Sequence, residues 1–138
     1  MNAQALRALS GVRLTLGPVE DIESAAESLG WRCVVLDGAE VEDRDGFLDL
    51  CDEAFGLPEW FGMSWEALEE CLADLDHGGI GGVVMVWSSW GEFAEAEPAD
   101  FAVALDVLAG AARAWAADGV AGGVVLQGDG PALDLELF

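Results

Sequence analysis

Glu66, Glu70 and Asp74 recur at four-residue spacing, which on a helix would line three carboxylates along one side over about 12 Å at 1.5 Å rise per residue. Carboxylates one turn apart can exchange protons with a substrate or receive positive charge. Nothing in this pattern prepares one acid as donor and its neighbour as acceptor, since both would stand on the wet side of a helix. The arrangement suits filling a cationic pocket on another molecule better than catalysis. Trp65, Leu68, Leu72 and Leu75 fall on the opposite, core-facing side. Like charges four residues apart each cost roughly 0.2–0.5 kcal/mol, so the stripe works slightly against its own helix. The competing reading is the solvated face of an amphipathic helix in an acidic protein.

Other reactive patterns are weaker. His77 follows the acidic stretch and is no convincing partner for Cys71, because a histidine near a helix C-terminus ordinarily serves the helix dipole. Asp43-Arg44-Asp45-Gly46 has the rhythm of a calcium loop, but the first ligand position falls on Val41, which cannot coordinate. No zinc spacing, dinucleotide fingerprint or phosphate loop occurs. No catalytic residue, metal site or cofactor is expected.

The elements that would carry the stripe can be read from periodicity and punctuation. Residues 12–16 alternate as a short strand, and Gly17-Pro18 reads as N-cap and first residue of a helix closed by Gly30. Residues 31–36 form an apolar strand ended by Asp37-Gly38. A second helix is expected to start near Asp45, whose carboxylate would accept a free backbone N–H, burying Phe47, Leu50, Cys51 and Ala54 before Gly56-Leu57-Pro58 stops it. Ser64 is the natural N-cap of the acidic helix, which the glycines at 78–82 end. Residues 82–87 read as a strand covered on both faces. Ser88-Ser89 opens a short helix through Phe93, and Pro98 or Asp100 begins a long one with the stripe Phe101, Leu105, Leu108, Ala112 and Trp115. A strand over 123–127 follows, and Leu133, Leu135 and Leu137 alternate with acids as a possible extra strand. Strands separated by helices predict an α/β fold with a mainly parallel sheet flanked by helices. It would carry an N-terminal βα extension over 1–30 and a domain over 31–138 in a single unit.

The composition narrows the partners. The chain has 138 residues and 27 acids against 5 basic residues, all arginine, for a net charge of −22. Phosphate backbones and anionic membranes need lysine and arginine, so neither nucleic acid nor a membrane is an expected ligand. Basic proteins are. The three cysteines are odd in number and lie at apolar positions, which fits a reducing cytoplasm. No export signal or membrane span is expected.

Residues 32–75 resemble barstar, the family of intracellular inhibitors of a secreted guanyl-specific ribonuclease. The likeness rests on the strand ending Leu36-Asp37-Gly38, the helix near Asp45, the Leu57-Pro58-Glu59-Trp60-Phe61-Gly62 turn, and the Trp65-Glu66-Ala67-Leu68-Glu69-Glu70-Cys71-Leu72 run. It extends more loosely to residue 127. The resemblance implies that the acidic helix and its preceding loop fill the ribonuclease active site in a 1:1 complex. Glu70 would match the carboxylate that imitates a phosphate, Glu66 a second interface acid, and Trp60 a loop aromatic packed on the enzyme. Ser64, Glu69, Ala73 and Asp74 complete the expected contact set, with Asp118 as a peripheral charge. Both key acids are aspartates in the best-studied member and glutamates here. Glu69 replaces an aromatic, Ser64 an asparagine, and Ala114 stands where an acid is expected. The expected function is inhibition of a basic ribonuclease or related toxin, as antitoxin or immunity factor. The alternative is an acidic mimic of nucleic acid that masks another basic protein.

Overall fold

The computed structural model describes residues 3–75 and 81–138. His77 and most of the glycine break expected after the acidic helix lie outside the described residues. In chain order the elements are α1 (Ala3–Arg7), β1 (Val12–Thr15), α2 (Val19–Leu29), β2 (Arg32–Asp37), α3 (Arg44–Phe55), α4 (Trp65–Ala73), β3 (Gly82–Ser88), α5 (Gly91–Ala96), α6 (Pro98–Ala117) and β4 (Ala121–Gln127).

The described strands form one four-stranded sheet in the order β1-β4-β3-β2, and every pairing is parallel. From β2 to β3 to β4 the chain steps one way across the sheet, whereas from β1 to β2 it steps back over both. Parallel crossovers share one hand, so reversing direction moves the connecting helix to the other face. Accordingly Ile22, Ala25 and Ala26 of α2 pack with Val84, Val86 and Val125, joined by Leu6 and Leu9 from the α1 region. The helices α3 to α6 cover the opposite face, where Val34, Leu36, Val83, Met85, Trp87, Val124 and Leu126 point. Two covered faces explain why residues 82–87 are all buried. The α3–α6 side holds an aromatic cluster in which Phe47 lies 4.5 Å from Trp87, and Trp90 stacks on Phe101 at 5.6 Å between ring centroids.

Local chemistry moved several boundaries. Asp43, not Asp45, caps α3, accepting from the Gly46 N–H at 2.8 Å, because the carboxylate reaches an amide three residues ahead. Pro18 is itself the extended N-cap of α2. Ser88 ends β3 and Ser89 takes a positive φ of 54°, so α5 begins at Gly91. Along α6, Ala104 and Ala111 join Phe101, Leu108, Ala112 and Trp115 in the buried stripe, while Leu105 is half-buried. The helix α1, which has no strong periodicity in sequence, closes one end of the α2 side.

The C-terminal segment does not become a full strand. It makes an isolated parallel bridge, Leu14 to Leu137, through the Leu14 N–H to the Glu136 carbonyl at 2.9 Å and the Phe138 N–H to the Leu14 carbonyl at 2.6 Å. Leu133 and Leu135 both pack toward the α3–α6 side, Leu137 stays 70% exposed and Phe138 packs toward the α2 side, so the alternation serves packing on one side of β1 rather than a ladder.

Candidate functional site

The acidic helix and the loop before it lie at the surface, joined to the aromatic cluster through Trp65, whose ring is 5.9 Å from Phe47. Gly56 closes α3 in the left-handed conformation with φ 61°. The loop then turns on the Phe61 N–H to the Pro58 carbonyl at 2.9 Å. Phe61 is buried against the core and Leu57 is half-buried, while Trp60 stands 58% exposed. Adjacent aromatics thus take opposite roles: one anchors the loop and the other is held in water. Among the described residues Trp60 is the one large exposed aromatic side chain.

Ser64 has the extended backbone of an N-cap, and its Oγ accepts from the Ala67 N–H at 3.1 Å. Leu68, Cys71 and Leu72 are buried, Trp65 and Ala73 half-buried, and Glu66, Glu69, Glu70 and Asp74 exposed. Glu66 sits in the first turn, where the helix dipole favours it. Asp74 follows the last helical residue as the C-cap, so its carboxylate sits at the dipole's unfavourable end. The far end of α4 is tied to α6 by the buried Trp115 indole, whose Nε1–H donates to the Leu72 carbonyl at 2.9 Å. That carbonyl belongs to the last turn, which has no partner within its own helix.

Between α4 and α6 runs a groove of about 350 Å³ lined by Trp65, Glu66, Glu69, Val103, Asp106 and Arg113, among others. Glu69 leans onto α6 at Gly110, where an added Cβ would lie 2.6 Å from the carboxylate oxygen and 3.7 Å from an Arg113 nitrogen. Glu66 and Glu69 therefore share the groove with α6, while Glu70 and Asp74 do not line it. Ala114 is half-buried, and Asp118 is the C-cap of α6. Sequence reasoning missed Val103, Asp106 and Arg113. The available signal was a glycine inside a long helix flanked at helical spacing by polar residues, the mark of a close approach by another element.

This arrangement presents charge and one aromatic ring; it does not assemble a reactive group. Among the described residues no group of three or more His, Cys, Asp or Glu side chains could hold a metal ion. Burial pushes the Cys71 thiol up from its usual range, reinforced by the carboxylates of Glu70, Asp74 and Asp52, which keeps it protonated and a poor nucleophile. No described helix is long and apolar enough to cross a membrane.

Comparison with known proteins places the chain in a family. The family model described as Barstar (barnase inhibitor) matches residues 31–127, a span that includes the loop, α4 and α6 and leaves out α1, β1, α2 and the C-terminal segment. No curated protein matches the sequence. Among solved structures, that of the ORC2 protein of Aeropyrum pernix, in ADPNP and ADP complexes, is similar with a TM-score of 0.54 at 15% identity. The match covers 92% of this chain and 37% of that one. This chain thus spans little more than a third of that protein, and the likeness is one of fold alone.

Proposed function

The chain belongs to the Barstar family, and from that premise we propose that it is a stoichiometric protein inhibitor of a basic, guanyl-specific type of ribonuclease or a related toxin. The observation that carries this reading is the pairing of an exposed Trp60, fixed by its buried neighbour Phe61, with the exposed carboxylates of Glu66 and Glu70 on the helix that follows. In this reading Glu70 takes the place of an RNA phosphate among the partner's basic residues through charge-assisted hydrogen bonds. Glu66 flanks it, and Trp60 is the desolvated anchor of the contact. Ser64, Glu69, Ala73 and Asp74 frame the patch. Residues 31–138 form the inhibitor unit and 1–30 extend it. A protein of this kind acts in the producing cell's cytoplasm and needs no cofactor.

Titration of purified barnase with the full chain, followed by RNA cleavage and by binding kinetics, tests the proposal. The expected result is 1:1 inhibition that weakens with salt, mainly through a slower on-rate. Such steering is best known from the barnase–barstar pair itself. Glu70→Ala should lose at least about 2 kcal/mol of binding. Unchanged affinity in that variant would remove the assigned interface. The acid-mimic reading draws on a second hollow lined by Asp37, Glu40, Asp49 and Glu53. It predicts instead that neutralising scattered acids each costs a little and Glu70 no more than the rest.

A further inference from the structure

Only five basic residues stand against 27 acids in this chain, and one of them makes its short contact with a backbone carbonyl. Arg44, the first residue of α3, donates from Nη2 to the carbonyl oxygen of Met63 at 2.7 Å. Its ion pair with Asp45 is longer, at 3.5 Å. Met63 has a φ of 55°, one of two non-glycine residues with positive φ among those described. A side chain held there is strained and persists only when its surroundings fix it. Met63 is also the residue before the Ser64 N-cap, so its carbonyl sits at the hinge between the aromatic loop and the acidic helix.

We propose that Arg44 is a positioning residue for the partner-binding surface. Its guanidinium fixes the Met63 carbonyl, which holds the loop in the conformation that keeps Trp60 in solvent and lets Ser64 enter α4 with its cap formed. The loop is then pinned at three points: the Gly56 turn, the buried Phe61 and the Met63 carbonyl. Trp60 is presented from that frame without paying the ordering entropy at the moment of contact. The inference rests on the inhibitor reading for its function, while the clamp itself is testable without any partner.

Charge and positioning predict opposite signs. A cation beside a surface that meets a basic protein is repulsive, so removing it should tighten binding if charge were its only role. Loss of positioning should weaken binding. The experiment compares the full-length chain with Arg44→Met, which keeps the aliphatic stem, and Arg44→Lys, which keeps the charge and one donor direction. In the free protein, amide hydrogen exchange at Phe61 and Ala67, both hydrogen-bonded in the loop and cap, should be at least about tenfold faster in Arg44→Met. Exchange in β3 should be unchanged. With barnase as the probe, that variant should dissociate at least about tenfold faster with an association rate equal or higher, and Arg44→Lys should recover part of the loss. Unchanged exchange in the loop, faster exchange across β3 as well, or tighter binding by Arg44→Met would each overturn the proposal. Glu70→Ala keeps the two readings apart. If it weakens binding and Arg44→Met does not, the clamp falls and the inhibitor reading stands. If neither affects barnase, the inhibitor reading falls and the exchange measurement alone decides the clamp.

Discussion

Cys33 and Cys51 carry a pH dependence that their packing creates. Burial, with a smaller effect from the Glu23 carboxylate, pushes the Cys33 thiol from 9.0 up to about 11, and burial pushes the Cys51 thiol up as well. The folded state therefore binds the thiol proton more tightly than the unfolded chain does. That contribution to stability is fully present below pH 9.0 and is lost as pH rises toward about 11. Thermal unfolding midpoints should hold steady through neutral pH and fall above pH 9, with a shallower fall in Cys33→Ala. Both thiols should also resist alkylation at neutral pH until the protein unfolds. Residue identity told which cysteines would behave as small hydrophobes, since each lies on an apolar position of its element. It did not tell that Glu69 would turn away from Glu70 and onto Gly110, because the partner helix lies some forty residues further along the chain.

At the scale of elements, α4 is short and is held at both ends by side chains. Ser64→Ala removes the cap bond to the Ala67 N–H and should cost about 1 kcal/mol in urea unfolding. Trp115→Phe removes the shorter donor to the Leu72 carbonyl, which keeps the Leu75 N–H at 3.5 Å, and should cost about 0.5–1.5 kcal/mol. The two losses should add to within about 0.5 kcal/mol, since they act at opposite ends of the helix; strong coupling between them would mean that α4 unfolds as one unit with its cap. The cap at Ser64 was legible because the serine directly precedes an apolar periodicity. At α3 two aspartates compete for the same role, and only the backbone conformation decides that Asp43 takes it. The alternation of Leu133, Leu135 and Leu137 also had two solutions. A strand and a segment that packs two leucines on one side and leaves the third in water share one pattern, and the isolated bridge to β1 selects the second.

For the molecule as a whole, a net charge of −22 on 138 residues sets two responses to salt in opposition. Self-repulsion opposes the compact state, so the unfolding temperature should rise as ionic strength goes from about 0.01 M to about 0.15 M and the screening length shrinks from about 30 to 8 Å. Over the same range association with a basic partner should slow. A protein whose stability and on-rate both fell with salt would owe its stability to ion pairs such as Arg13 with Glu136 and Arg44 with Asp45. The sequence by itself determined the alternation of strands and helices, the parallel sheet, the acidic face of α4 and the turn with its two aromatics, because period, caps and glycine or proline punctuation act over a few residues. Tertiary structure decided what depends on distant chain: which face of the sheet each helix covers, the groove that α6 adds beside Glu66 and Glu69, and the reach of Arg44 to Met63. No local pattern encodes these, since they arise only when the crossover connections bring separate segments to the same side of one sheet.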